Sequence, residues 1–289
     1  MRRIMYSNKI GVMVDSFKLG LRAGIKKAKE VGADGIQIYA VDGSMDPDNL
    51  NKSQRKDLLD YIKSNGLVVS ALCGDLGGHG FTIPEENAWK IEKSKRIMEL
   101  AKDLEANVVT THIGVIPEDE TNSRYGVLQD ACEELGTFGD RMGATFAIET
   151  GPERSETLKE FLDSLDSNGV GVNLDPANLV MVTGDDPVKA VITLKNYIVH
   201  THAKDGIMLK KTGPQIIYDF FAEGGIGDLR LEDYFAEKPL GQGNVDFAAY
   251  MKALSQIGYE GFLTVEREVG KNPERDIEDA VNYLKALMR

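Results

Sequence analysis

Val14-Asp15-Ser16-Phe17-Lys18-Leu19-Gly20 follows the first apolar run of the chain, and its reading separates two architectures. In an open sheet that binds a dinucleotide, the first strand-to-helix turn carries G-x-G-x-x-G, because backbone amides must come close to a pyrophosphate. This turn has a single glycine and no such pattern. Outward from it, short apolar runs alternate with longer amphipathic ones. The runs at 10–14, 35–39, 67–73, 107–114, 144–149, 170–175, 198–204 and 261–266 are rich in Val, Ile and Thr, the residues that suit strands.

Between them, helical spacing of apolar residues predicts helices at 19–31, 49–64, 84–105, 123–142, from Ser155, and at 187–194, 246–257 and 273–288. Pro84 followed by two glutamates is a sound helix start. Glycines such as Gly32, Gly66 and Gly143 fall where helices should stop. Eight strands strictly alternating with eight helices define a parallel α/β fold, and the count of eight with no dinucleotide turn favours closure into a (β/α)8 barrel. At 289 residues, with 42% hydrophobic and 28% charged residues, the chain suits one such domain, 1–289, with no linker or low-complexity tract. A long connection at 206–243 carries Tyr218, Phe220, Phe221 and Gly224-Gly225-Ile226-Gly227, and is expected to act as a lid or as a subunit contact in a homo-oligomer.

The formal net charge of -12 repels phosphate backbones and anionic membranes, so neither a nucleic acid nor a membrane is the expected partner. Cys73 and Cys132 form no CxxC and lie far apart, which suggests neither a disulfide framework nor a thiolate metal site. Arg2 and Arg3 are followed by no long apolar run, and no stretch approaches the ~20 apolar residues of a membrane span. A cytoplasmic setting is the expectation.

The chemistry lies at the strand ends. In a barrel these border the active site. The apolar run Phe146-Ala147-Ile148 stops at Glu149, the sixth strand stops at Asp175, the seventh reads Val199-His200-Thr201-His202-Ala203-Lys204, and the eighth stops at Glu266. Singly, a carboxylate here is often a helix N-cap or turn residue, and a histidine is often core. Together, three clustered acids repel one another and need a cation to stay ionised. Three oxygens and one imidazole suit a divalent ion, Mn²⁺ first, with Mg²⁺, Co²⁺ and Zn²⁺ also compatible. Glu149, Asp175, His202 and Glu266 are therefore the candidate ligands. His200, one layer deeper, is expected to orient a carboxylate.

In Ala147-Ile148-Glu149, Asn173-Leu174-Asp175-Pro176-Ala177-Asn178, His200-Thr201-His202-Ala203-Lys204-Asp205, Pro239-Leu240-Gly241-Gln242-Gly243-Asn244-Val245-Asp246 and Val265-Glu266, the sequence resembles the xylose isomerase-like TIM barrels, a family of sugar and sugar-phosphate isomerases and epimerases. The resemblance runs from the first strand to the last helix. It implies a small carbohydrate substrate, one metal, and Glu149 and Glu266 as both ligands and acid/base pair. The implied reaction removes a proton next to a carbonyl through a metal-stabilised enediolate. Return of the proton to the other face gives epimerisation, transfer to the neighbouring carbon gives isomerisation, and loss of a β-hydroxyl gives dehydration, as an inosose dehydratase would do. Two positions depart from the 3-epimerase pattern, Asn178 standing for a histidine and Met208 for an arginine, and Gln37 stands where many relatives have a glutamate. Gln37, His112, Asn178 and Lys204 are the expected substrate contacts.

Two rivals share the barrel. A DNA-repair endonuclease would use three zinc ions and many histidines, and this chain has only His79, His112, His200 and His202. A non-catalytic sugar-binding regulator could keep the ligand set, because fold does not fix function.

Overall fold

The computed structural model describes residues 6–289; Arg2 and Arg3 lie outside the described residues. Eight parallel strands close on themselves: β1 (Lys9–Met13), β2 (Gly35–Tyr39), β3 (Val68–Cys73), β4 (Val108–Thr111), β5 (Thr145–Glu149), β6 (Val170–Leu174), β7 (Ile198–Ala203) and, after β8 (Asp205–Met208) and β9 (Phe235–Lys238), β10 (Phe262–Val265). Neighbours in sequence are neighbours around the barrel, and β10 closes on β1 with Lys9 opposite Phe262 and Val12 opposite Val265. The expected (β/α)8 architecture is the one found.

Ten helices are present among the described residues: α1 (Leu21–Val31), α2 (Lys52–Ser64), α3 (Pro84–Asp103), α4 (Ser123–Met142), α5 (Ser155–Asp163), α6 (Pro176–Asn178), α7 (Pro187–Thr193), α8 (Pro214–Glu223), α9 (Phe247–Gln256) and α10 (Pro273–Leu287). Each long helix turns one stripe to the barrel. In α1 the buried residues are Gly24, Ile25, Ala28 and Val31, at the three-to-four spacing of one helical face. The ends follow local chemistry. Asn51 and Gln54 form a reciprocal capping box on α2, and α1 stops at Gly32, whose φ of 77° is left-handed.

The strand expected over 107–114 ends at Thr111. Gly114 has a φ of 99°, and the chain leaves the barrel wall there to border its mouth. The 206–243 segment is more ordered than a bare connection. β8 and β9 pair as an antiparallel hairpin with α8 between them, and α6 is followed by a π-turn, Leu179–Thr183, whose Met181 and Val182 pack with Ile217 of α8.

Asp205 fastens this segment at its base. Its carboxylate accepts from the amides of Gly206, Gly241 and Gly243, each at 2.9 Å, and of Val245 at 3.1 Å. Gly243 lies so close to that carboxylate that a Cβ there would collide with Oδ1. Asp205 thus ties the two ends of the segment to the end of β7.

Candidate metal centre

Inward alternation along β5, β6, β7 and β10 puts polar side chains into the upper barrel in two tiers. In the lower tier Asn173 is opposite Glu149 on one side and His200 on the other, and Thr264 is opposite His202. His200 Nδ1 bonds Asn173 Oδ1 at 2.9 Å, and its Nε2 lies 3.0 Å from Thr264 Oγ1. Burial, with His202 close by, holds the His200 pKa well below the usual range, so this ring is neutral.

Above it, Glu149, Asp175, His202 and Glu266 are all buried and each offers one ligand atom, all within 4.8 Å of one another. His202 Nδ1 lies 3.2 Å from Asp175 Oδ2, 3.3 Å from Glu266 Oε2 and 3.6 Å from Glu149 Oε1. Its Nε2 lies 3.0 Å from Gln37 Oε1, while the Gln37 amide nitrogen donates to Thr110 Oγ1 at 2.8 Å. A carbonyl oxygen can only accept, so Nε2 carries the hydrogen and Nδ1 is the nitrogen aimed at the acids. Asn173 Nδ2 is 3.2 Å from the same Nε2, but it donates a hydrogen to Glu149 Oε2 at 3.0 Å.

The carboxylates are held from behind. Asp175 uses Oδ1 to cap α6 through the amides of Ala177 (2.8 Å) and Asn178 (2.9 Å), leaving Oδ2 for the cluster. The N-cap role and the ligand position are therefore filled by two oxygens of one side chain. Asn178 Nδ2 donates to Glu149 Oε1 at 3.1 Å. Lys204 Nζ bonds Glu266 Oε2 at 3.0 Å and Glu268 Oε2 at 2.6 Å. Burial alone would raise the Glu266 pKa, but Lys204 and His202 outweigh it and hold the carboxyl well below its usual range. Burial likewise opposes charge on His202, and Glu266 with Glu149 outweighs it, so the ring's pKa is raised well above normal.

This donor set fits a divalent cation. Two like charges about 4 Å apart repel by about 4 kcal/mol at an effective dielectric near 20, so three buried acids demand positive charge among them. Here a proton on Nδ1 supplies part of it, at the position from which a lone pair would face a metal.

A cavity of about 250 Å³ opens over the cluster, and Glu149, Glu266, His112, Asn178 and Lys204 reach its wall. Gln37 does not. It is fully buried behind His202 and contacts the ring, so the structure places it as a support and not at the cavity wall. His200 likewise touches no carboxylate; its reach to Glu149 runs through Asn173.

Asp75 went unread in the sequence. Its Oδ2 lies 3.0 Å from His112 Nδ1, while His112 Nε2 is 3.8 Å from Glu149 Oε1. Burial disfavours the charged His112 ring, but Glu149 and the Asp75 bond lift its pKa to about 9. Tyr218 of α8 packs on His112 with ring centroids 5.6 Å apart, and His79 Nε2 meets Glu223 at 2.7 Å, so α8 covers one side of the mouth. The isolated Gly74-Asp75-Leu76-Gly77 turn gave no periodic signal that would have singled out Asp75.

The fold and this cluster define a (β/α)8 barrel with a mouth suited to one divalent ion. The chain belongs to the xylose isomerase-like TIM barrel family, whose model matches residues 25–287. An inosose dehydratase of Clostridium perfringens is 25% identical over 60% of this chain and 56% of that protein. The matched region spans 42–63% of the length of the curated relatives. Among solved structures, a xylose isomerase domain protein of Planctomyces limnophilus superposes with a TM-score of 0.78 at 23% identity, over 99% of this chain and 98% of that one. A D-tagatose 3-epimerase-like protein superposes with a TM-score of 0.71 at 20% identity, over 96% and 98%. These structural likenesses show the shared fold. Among the described residues, no helix is long and apolar enough to cross a membrane.

Proposed function

We propose that the chain is a divalent-metal-dependent enzyme, a sugar isomerase or epimerase that moves a proton on carbon next to a carbonyl. The observation that carries this reading is the convergence of ligand atoms of Glu149, Asp175, His202 and Glu266 within 4.8 Å beside a cavity whose wall Glu149 and Glu266 reach. One divalent ion, manganese first, would be held by these four side chains. It would polarise the substrate carbonyl and stabilise the negative charge that grows on its oxygen as the neighbouring carbon loses a proton.

The chain's own residues handle the proton. Glu266 is kept ionised by Lys204 and is the base; Glu149, steadied by Asn173 and Asn178, is its acid partner. General acid–base help of this kind is worth about 10²–10⁴-fold. Asp175 and His202 serve as ligands only, with Gln37 fixing the imidazole. Asn178, Lys204 and His112 reach the substrate from the wall.

A second reading, dehydration of an inosose-like substrate, is supported by the Asp75–His112 pair. A ring held at Nδ1, whose Nε2 faces the cavity side of Glu149 at 3.8 Å, can protonate a departing hydroxyl. The curated relative named an inosose dehydratase supports the same reading.

The test is incubation of the manganese-loaded protein with ketoses and inososes in D₂O, followed by NMR. Deuterium entering the carbon next to the carbonyl is expected. Binding of those compounds with no exchange would leave a sugar-binding regulator.

A further inference from the structure

At about 250 Å³ the cavity is smaller than the ~300–1,000 Å³ of sites that take drug-sized ligands, which points to a single sugar or cyclitol ring. Its polar wall is anionic. Asp75, Glu149, Asp219, Glu266 and Glu268 line it, and Asp175 lies buried beside them. Among the described residues no arginine lines the cavity, and its one lysine, Lys204, is engaged by Glu266 and Glu268. Lys204 and a divalent ion carry three positive charges against these six acids, and even both wall histidines, His79 and His112, counted as charged would bring the total only to five.

The turn Gly74-Asp75-Leu76-Gly77-Gly78-His79-Gly80 is the one stretch of the wall with the glycine content of a phosphate cradle. Such cradles work by presenting free amides to an anion. Here Asp75 Oδ1 accepts the Gly77 amide at 2.8 Å and Oδ2 holds His112, so a carboxylate already stands where an anion would sit. Met181, Val182, Ile217, Phe221 and Phe235 supply the apolar part of the lining, against which the C–H face of a ring can pack.

We infer that the site selects uncharged polyols, a ketose or an inosose carrying neither phosphate nor carboxylate, and turns away their phosphate esters by charge. The inference rests on the proposed sugar-handling role of this site and specifies its substrate class.

Calorimetry on the manganese-loaded protein at low salt tests it, comparing D-fructose, D-tagatose and scyllo-inosose with fructose 6-phosphate and tagatose 6-phosphate. At least one neutral compound binds, and each ester binds at least tenfold more weakly than its parent, a gap of about 1.4 kcal/mol. Asp219→Asn combined with Glu268→Gln narrows that ratio at least threefold, and so does added salt. An ester that binds as tightly as its parent overturns the inference, as does a set in which no neutral polyol binds or a double variant with an unchanged ratio. Deuterium exchange followed in the same samples keeps the two claims apart. Neutral binding without exchange removes the enzymatic reading and leaves the charge selection standing, whereas turnover of an ester does the reverse.

Discussion

His202 Nε2 lies 3.0 Å from Gln37 Oε1, and this contact across the barrel decides which imidazole nitrogen faces the three acids. A support of this kind fixes both tautomer and ring direction, and losing one typically costs 10–100-fold in metal affinity. Gln37→Leu keeps similar bulk and removes the acceptor. Titration of manganese into the variant should show an affinity lower by about 10–100-fold with the stoichiometry unchanged. Affinity equal to that of the parent protein would mean that the amide does not orient the ring.

Glu149→Gln and Glu266→Gln should each retain the fold, because neither carboxylate is an end cap of a helix and both sit on rigid strand ends. Turnover should fall by about 10²–10⁴-fold, with circular dichroism and melting little altered. Either variant turning over at the full rate would remove that glutamate from the proton-transfer role.

The parts legible in the sequence were those written in periodicity. Eight apolar runs, their glycine stops and the acids or histidine ending four of them specified the barrel and the residues now found within 4.8 Å of one another. What was hidden depends on side-chain direction across the barrel. The resemblance puts Gln37 among the substrate contacts, yet the His202 ring lies between it and the cavity. Nothing local in Val170-Gly171-Val172-Asn173-Leu174 marks Asn173; only the register against Glu149 and His200 reveals it as the bridge between them. Asp75 and Asp205 also reach residues 36–40 positions away, beyond what local pattern can show.

Glu153, which is none of the four candidate ligands, gives a pH prediction of its own. It is buried, and burial outweighs the Ile116 backbone amide and nearby His112 to push its pKa up to about 8. Below the ordinary glutamate value of 4.5, folded and unfolded chains both hold the proton, and the group has no linked effect. Between that value and about 8 the unfolded chain ionises while the folded one does not, so stability falls by up to about 1.4 kcal/mol per pH unit. Above that, both forms are ionised and the loss stops growing. Urea melts should therefore show Glu153→Gln gaining on the parent protein as pH rises from about 5 to about 8, by roughly 1–4 kcal/mol at the upper end. A gap that stays flat across that range would contradict a proton held on the folded carboxyl.

Asp205→Ala removes the acceptor shared by four amides at the base of the 206–243 segment. Unmet buried donors cost about 1–3 kcal/mol each when nothing replaces the acceptor, although local rearrangement and entering water should cap the total well below four times that. Limited proteolysis should cut the variant within this segment several times faster than the parent. An unchanged digestion pattern would show that the hairpin and α8 hold themselves in place.

The central claim, that four side chains from consecutive barrel strands share one divalent cation, is tested most directly by anomalous diffraction from crystals grown with manganese. A single strong peak is expected roughly 2.0–2.3 Å from one oxygen each of Glu149, Asp175 and Glu266 and from Nδ1 of His202. A peak elsewhere, or none while those carboxylates point apart, would contradict it.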